Sequence, residues 1–453
     1  MKGTQQIMTG SYDFYVIPDL HMIPPGLTLT SEQRLDQRTL IETPKIHEAV
    51  FAAVCADTDI DTIIVPGDLT NSGEKEAHLA LVKELEEIEK KGKKIFVISA
   101  AHDYCKKTRF TGYTPTERNE LTELYRQFMF DKAESVAPDG FSYSAVLKPG
   151  LFLLALNDDK KPEDGVKGYG FTKETFDWIK TECEKAKGRG DRIIAMTHHP
   201  MLPVNTLYPV IALGDMVENW KDTAAFLADC GVEIMFTGHT HMHGINYFDS
   251  VSGNRIYDVN TASIVGYPTA YRKIHMDSDI IDIKTVCTPK YEWDSDCETA
   301  NEHAYKNFRR LLESKAQGIM DGGESFGKAV GMSPEKVKKL GPVVNIAGLA
   351  VKKLTVGGLG KILGISRKIA PSLKDMMFRD LIFDLVLSMY HGGESYTPDT
   401  PVYQTMNAIF ERVEKFCDLF KIKGVREITE NLRAGFLYDL PPADWDAVIK
   451  SKK

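Results

Sequence analysis

Short runs of hydrophobic residues alternate with amphipathic segments up to about residue 290. The runs are rich in β-branched and aromatic side chains, as is typical of strands, and they read DFYVI, TIIV, KIFVIS, LFLLAL, RIIAMT and VEIMFT. Between them, apolar residues recur at helical spacing in residues 42 to 55, 74 to 91 and 172 to 187. Thr172 opens the last of these segments with TKET, which resembles a helix-capping box. This alternation predicts an α/β layered fold.

The pattern changes after the last of these runs. Closely spaced strands are predicted near residues 244 to 249, 255 to 260, 270 to 276 and 280 to 287. Their close spacing favours antiparallel pairs that complete a sheet. From about residue 299 only helical spacing remains. A chain of 453 residues also exceeds what one hydrophobic core usually organises. We therefore predict two domains, an α/β domain over residues 1–295 and an all-α domain over residues 296–453.

Charge and cysteine content narrow the class of protein. The formal net charge of -8 argues against a general nucleic-acid-binding protein, so no nucleic-acid polymer is expected as a partner. Seven cysteines without a CxxC pair fit a reducing compartment. The first residues lack the apolar run of a signal peptide or a membrane span. We expect a cytoplasmic protein without membrane contact, although a chain trimmed of a secretory leader would look the same.

Five of the predicted strands end on side chains that can bind metal. In chain order, these side chains are Asp19, His21, Asp68, His102, His198, His239 and His241. Ligands of open α/β sheets bind outside the carboxyl ends of the strands, so residues distant in sequence can converge there. Each motif alone has an ordinary interpretation, such as a turn or a helix-entry loop. Their joint occurrence at strand ends favours one metal-binding cleft.

The ordered set Asp-x-His, Gly-Asp, His-Asp, His and Gly-His-x-His resembles the signature of the calcineurin-like metallophosphoesterases, over roughly residues 12 to 276. The resemblance implies an α/β (α+β) fold, a β-sandwich of mixed sheets flanked by helices, to which the all-α C-terminal domain is added. It also implies that Asp19, His21 and His241 hold one metal and that His198 and His239 hold the other. Asp68 would bridge the two. Carboxylate and imidazole ligands suit manganese, iron or zinc.

The resemblance further implies a metal-dependent phosphoester hydrolase acting on a small phosphoester. Two cations about 3.5 to 4 Å apart can activate a bridging hydroxide for attack on phosphorus. His102 would then protonate the leaving oxygen, with Asp103 orienting its ring. The continuation GDLTNSGEKEAH resembles the cyclic-nucleotide phosphodiesterase branch, which favours a phosphodiester. A phosphomonoesterase and a metal-binding protein with little or no turnover are the alternatives; the oligomeric state is not predicted.

Ala101 stands where the family has an asparagine that binds the second metal. The expected result is a tight first metal and a weaker second one, unless a water molecule, Asn71 or Asn157 takes the place of the missing amide. His199 is interpreted as a neighbour of the site or a substrate contact rather than a ligand. Arg272 is a further candidate for contact with a substrate phosphate.

The loop that contains His391 and Glu394 lies between two strong helical patterns. Binding residues often lie on such loops. We therefore consider it as a lid over the cleft, against the simpler interpretation as a helix connector.

Overall fold

Two mixed β-sheets form the centre of the protein. The computed structural model describes residues 10–160, 168–293, 296–321, 352–392, 395–419, 425–437 and 444–451. The strands are β1 (Tyr12–Val16), β2 (Thr62–Pro66), β3 (Lys94–Ile98), β4 (Ser135–Val136), β5 (Tyr143–Lys148), β6 (Leu151–Ala155), β7 (Arg192–Met196), β8 (Val232–Thr237), β9 (Gly244–Asp249), β10 (Arg255–Asn260), β11 (Ala270–Met276), β12 (Ile280–Cys287) and β13 (Ala447–Lys450).

Parallel pairing places the loops after β1 and β2 at one edge of the first sheet, and the loops after β7 and β8 at one edge of the second. The first sheet has the order β13-β12-β11-β1-β2-β3, and the second has the order β4-β5-β6-β7-β8-β10-β9. In the first sheet, β1, β2 and β3 are parallel neighbours, and in the second, β6, β7, β8 and β10 are. The remaining neighbours are antiparallel.

Helices flank the sheets and form most of the C-terminal region. They are α1 (Thr43–Ala56), α2 (Lys75–Lys90), α3 (Glu120–Leu124), α4 (Lys173–Arg189), α5 (Tyr208–Ile211), α6 (Trp220–Asp229), α7 (Ala300–Asp321), α8 (Val356–Ile362), α9 (Phe378–His391), α10 (Pro401–Leu419) and α11 (Val425–Phe436). The cap predicted at Thr172 is formed, because its hydroxyl accepts a hydrogen bond from the Thr175 N–H at 3.3 Å. Gly190 ends α4 in the left-handed conformation.

Alternate residues of the central strands pack into different cores. In β6, Leu153 belongs to the core between the sheets, whereas Phe152 and Leu154 belong to the core beneath α4 and α6. Successive side chains of a strand point to opposite faces, so a strand covered on both sides reads as a continuous hydrophobic run. Phe14 and Phe236 join the two sheets with ring centroids 5.5 Å apart. The predicted sandwich of mixed sheets flanked by helices is confirmed.

Three strands were not predicted from the sequence: β4, β5 and β13. The last of them lies within residues 296–453 and pairs with β12, with Ile280 opposite Lys450. The buried Arg272 guanidinium fixes the segment before β13 by donating to the Asp444 carbonyl at 2.8 Å and to the Trp445 carbonyl. The division into two domains at residue 295 stays a prediction.

The C-terminal helices contact the sandwich through polar and aromatic groups. His303 of α7 lies 2.9 Å from a Glu42 carboxylate oxygen, and His391 stacks on Trp445 with ring centroids 4.2 Å apart. Glu394, the other residue of the predicted lid loop, lies outside the described residues. Within the described ranges, none of the helices is both long enough and apolar enough to cross a membrane.

Candidate metal centre

Six of the residues singled out at strand ends meet in one buried cluster. Asp19 and His21 follow β1, and Asp68 follows β2. His198 follows β7, and His239 and His241 follow β8. We call these six residues the ligand cluster: Asp19, His21, Asp68, His198, His239 and His241. All of them are buried except His239, which is partly exposed.

The backbone of the ligand cluster is strained. Five of its members have a left-handed φ, and the angles are 53° at Asp19, 46° at His21, 50° at Asp68, 67° at His239 and 55° at His241. Among the described residues other than glycine, Asn219 is the only further example. Such conformations cost about 1 to 3 kcal/mol each and persist where the surrounding structure enforces them, typically at functional sites. The strain marks these loops independently of side-chain chemistry.

The first group within the cluster comprises Asp19, His21 and His241. Each offers one ligand atom, and these atoms all lie within 4.8 Å of one another. The Nε2 atoms of His21 and His241 are 2.9 Å apart, and His241 Nε2 is 3.4 Å from an Asp19 carboxylate oxygen. Donor atoms bound to one cation at about 2.1 Å have separations of this size. The group therefore fits a metal ion.

Asp68 connects the first group to the second. Its carboxylate belongs to one close set with Asp19 and His198, and to another with His21 and His102. His198 Nε2 is 3.3 Å from Asp68 Oδ2. Nevertheless, His198 Nε2 and Asp68 Oδ1 are buried and have no hydrogen-bond partner among the described residues. Unpaired buried polar atoms are costly in free energy, and a shared metal site would account for both.

Hydrogen bonds to the other ring nitrogen orient two of the histidines. His198 Nδ1–H donates to the Pro66 carbonyl at 2.8 Å, and His241 Nδ1–H donates to the Gln37 side-chain oxygen at 2.9 Å. A proton on Nδ1 leaves the Nε2 lone pair free for a metal. Gln37 was not recognised in the sequence, because a single glutamine in a loop carries no motif.

Loss of the Gln37 contact gives a direct test of this orientation. Gln37→Leu should weaken metal binding by about 10- to 100-fold, because His241 loses the acceptor that fixes its tautomer. Metal content after dialysis against a graded series of Mn²⁺ concentrations measures the effect. Gln33→Leu is the control: Gln33 lies in the same loop, is half-buried, and accepts from the Thr30 N–H at 2.9 Å. This variant should bind metal as the wild type does. Equal affinities of the two variants would contradict an orienting role for Gln37.

Burial and neighbouring charges set the protonation states of the cluster. Burial lowers the pKa of His21 and His239 well below the ordinary value, so both imidazoles are neutral and can act as ligands. Burial alone would raise the pKa of Asp68, but the imidazoles of His198 and His102 outweigh it and hold that pKa well below the usual range. Burial also opposes the charge on His198, yet the Asp68 carboxylate raises its pKa to about 10.

His102 lies at the edge of the cluster in a short 3₁₀ turn, Ala101–Asp103. Its Nδ1–H donates to the Asn71 carbonyl at 2.6 Å, and its ring packs edge-on to His21 with centroids 5.3 Å apart. One of its ring nitrogens lies within 4.8 Å of the ligand atoms of His21 and Asp68. The ring is thus held by a backbone carbonyl and directed at the cluster.

Asp103 does not orient the His102 ring, which corrects the prediction made for it. Its two carboxylate oxygens accept backbone N–H groups instead, from Thr70 at 2.7 Å and from Ala100 at 2.8 Å. Burial and the nearby Asp68 raise the Asp103 pKa to about 7. Asp103 therefore shapes the loop that contains His102, and the Asn71 carbonyl performs the role assigned to it.

The candidates for replacing the missing asparagine differ in their surroundings. The side-chain oxygen of Asn157 already accepts from Arg118 and from the Asp159 N–H, both at 3.2 Å. The Asn71 side-chain oxygen is buried without a hydrogen-bond partner among the described residues. His199, which the sequence interpretation placed outside the ligand set, has a ring nitrogen within 4.8 Å of those of His198 and His239.

Arg272 is not placed to contact a substrate, and that expectation is corrected. Its side chain is fully buried. The guanidinium donates to the Thr285 hydroxyl and to the carbonyls of Asp444 and Trp445. Arg38, which the sequence analysis did not single out, is nearer to the cluster. Its Nη1 lies 3.4 Å from His21 Nδ1, and Asp36 fixes the rest of the guanidinium.

Solved structures resemble the chain only distantly. A dimetal phosphatase from Danio rerio is 12% identical, with 62% of this chain and 97% of that chain covered and a TM-score of 0.46. A purple acid phosphatase from yellow lupin (Lupinus luteus) seeds is 11% identical, with 63% and 53% covered and a TM-score of 0.42. The chain thus spans about half of the lupin protein.

A search among curated proteins returned no match. Residues 12–243 match the family described as calcineurin-like phosphoesterase. This span is more than half of the 453 residues and contains the whole ligand cluster. The chain belongs to the calcineurin-like phosphoesterase family.

Proposed function

We propose that the chain hydrolyses a small phosphodiester, such as a cyclic nucleotide, at a centre for two divalent cations. Membership of the family makes it a metal-dependent phosphoester hydrolase; the preference for a diester goes further. The carrying observation is the convergence of buried carboxylates and imidazoles whose donor atoms lie within 4.8 Å of one another in each group. The proposed ligands are Asp19, His21 and His241 for one metal and His198 and His239 for the other, with Asp68 shared.

The chemistry of the donor set fits manganese, iron or zinc. When bound, a metal pair supplies Lewis acidity and makes a water molecule more acidic. The protein residues provide the remaining functions. The shared carboxylate of Asp68 keeps the two groups together, and the Arg38 guanidinium adds positive charge beside His21.

His102 is the proposed general acid. Because its Nδ1–H is donated to the Asn71 carbonyl at 2.6 Å, the other ring nitrogen is the one available to the site. A proton on that nitrogen would pass to the leaving oxygen as the bond to phosphorus breaks. Alkoxide leaving groups need this proton most, since they are strongly basic.

The diester preference is supported by the loop that follows β2, which resembles the cyclic-nucleotide phosphodiesterase branch. In this loop Thr70 accepts from the Gly73 N–H at 3.2 Å, and Asn71 supplies the carbonyl that orients His102. The resembling residues thus build the acid side of the site. The sequence of this loop is therefore not accounted for solely by the start of the helix that follows it.

A comparison of substrates under one metal condition tests the proposal. Purified protein supplied with Mn²⁺ should cleave bis-p-nitrophenyl phosphate and a 3′,5′-cyclic nucleotide faster than p-nitrophenyl phosphate. Faster cleavage of the monoester would favour the phosphomonoesterase alternative. Two bound metals with no cleavage of any ester would instead favour a binding protein of this fold.

A further inference from the structure

His199 lies against the second half of the ligand cluster. It follows His198 directly in the chain, and neighbouring residues of a strand would point in opposite directions. The loop after β7 is not extended in this way: one ring nitrogen each of His198, His199 and His239 lies within 4.8 Å of the others. The His199 and His239 ring centroids are 4.1 Å apart.

The His199 ring is held in a defined orientation. Its Nδ1 is 3.3 Å from Asp158 Oδ1, and its backbone N–H donates to the other oxygen of the same carboxylate at 2.9 Å. The ring of Tyr169 stacks on it at an interplanar angle of 17°. A carboxylate that accepts from one imidazole nitrogen is the arrangement that commonly orients a metal-binding histidine.

The remaining nitrogen, Nε2, is buried and has no hydrogen-bond partner in the part of the chain that the structure describes. His198 has the same two features, an Nδ1 given to an oxygen acceptor and a buried, unpaired Nε2. An unpaired buried polar atom is costly in free energy. Two such atoms side by side are explained together if both face one cation.

We propose that His199 Nε2 supplies the ligand that Ala101 cannot, so that the second metal is bound by Asp68, His198, His199 and His239. The inference rests on the proposed two-metal site and deepens it. It replaces the expectation of a weak second site, since three imidazoles and one carboxylate would give the second metal four protein ligands. Exchange of an amide oxygen for an imidazole also shifts the preference of this site towards zinc relative to manganese.

Zinc titration of the purified full chain tests the assignment. Wild-type protein stripped by a chelator should regain two Zn²⁺ per chain, measured by equilibrium dialysis and elemental analysis. His199→Ala should weaken one of the two sites by at least about 10- to 100-fold and leave the other unchanged. His199→Phe keeps the stacking on Tyr169 while removing both nitrogens, and it should show the same selective loss. Circular dichroism verifies the fold of each variant.

His243→Ala is the matched control. His243 is also buried with an unpaired Nε2, but it packs against Trp445 and belongs to none of the close groups of metal-type ligands among the described residues. It should bind two Zn²⁺ with wild-type affinities. If His199→Phe retains both sites at wild-type affinity, or if His243→Ala loses the same site equally, the proposal is overturned.

Two further results separate this inference from the function on which it depends. Loss of the second site in Asn71→Ala, with both sites intact in His199→Phe, would assign the replacement ligand to Asn71 and overturn the role of His199 alone. Wild-type protein that takes up fewer than two Zn²⁺ would overturn the two-metal centre itself, and the His199 assignment with it.

Discussion

Replacement of Asp68 by asparagine should reduce phosphoester hydrolysis by more than about 100-fold, the upper end of the effect of losing an outer partner of a metal ligand. Asp68 is the residue common to the two sides of the cluster, with Oδ2 3.3 Å from His198 Nε2 and 3.8 Å from His21 Nε2. An amide at this position would remove the negative charge that both cations need. We expect the variant to lose metal from both sites.

The measurement combines kcat/KM for a diester with metal content per chain. Asp258→Asn is the control. Asp258 is likewise a buried carboxylate, but it lies within β10 and accepts hydrogen bonds from the Thr237 hydroxyl at 2.7 Å and from the Leu202 N–H at 2.8 Å. This control should keep its metals. An Asp68→Asn protein with two bound metals and more than about a tenth of the wild-type rate would contradict the shared position.

His102→Ala should have the second largest effect, and the effect should depend on the leaving group. Loss of a general acid costs about 10²- to 10⁴-fold, so hydrolysis of an alkyl diester should fall by that amount. A p-nitrophenolate leaves readily without a proton, so bis-p-nitrophenyl phosphate should be affected much less. Steady-state rates for the two substrates, measured at one pH and one metal concentration, provide the comparison.

Metal content distinguishes this role from the competing one. A ring nitrogen of His102 lies within 4.8 Å of the ligand atoms of His21 and Asp68, so a ligand role has to be tested as well. If His102 is the acid, His102→Ala keeps two metals and becomes selectively slow on the alkyl ester. Loss of a metal together with equal slowing on both substrates would identify His102 as a ligand instead.

The fold was largely predictable because its central strands are covered on both faces. Such strands appear as short hydrophobic runs, and the ends of these runs located Asp19, Asp68 and His198. By contrast, β13 has four residues and is stabilised by pairing with β12, a partner more than 150 residues away in the chain. Tertiary pairing of this kind leaves little local signal.

The finer contacts of the site depend on loop geometry that sequence spacing does not specify. Adjacency suggested that Asp103 orients His102, but the 3₁₀ turn directs the carboxylate to backbone N–H groups. Because His199 is adjacent to His198 in the sequence, it was interpreted as a neighbour of the site rather than a ligand. The loop nevertheless brings its ring beside that of His239. In both cases the direction of a side chain follows from local dihedral angles rather than from residue type.

The position of β1 in its sheet has a consequence for biosynthesis. Although it is formed by residues near the amino terminus, β1 pairs on one side with β11, where Tyr12 lies opposite Met276. Contacts between residues so far apart in the chain form slowly, because a long loop must close first. The nascent polypeptide therefore cannot complete the sheet that contains Asp19 and His21 at the end of β1 until β11 has left the ribosome.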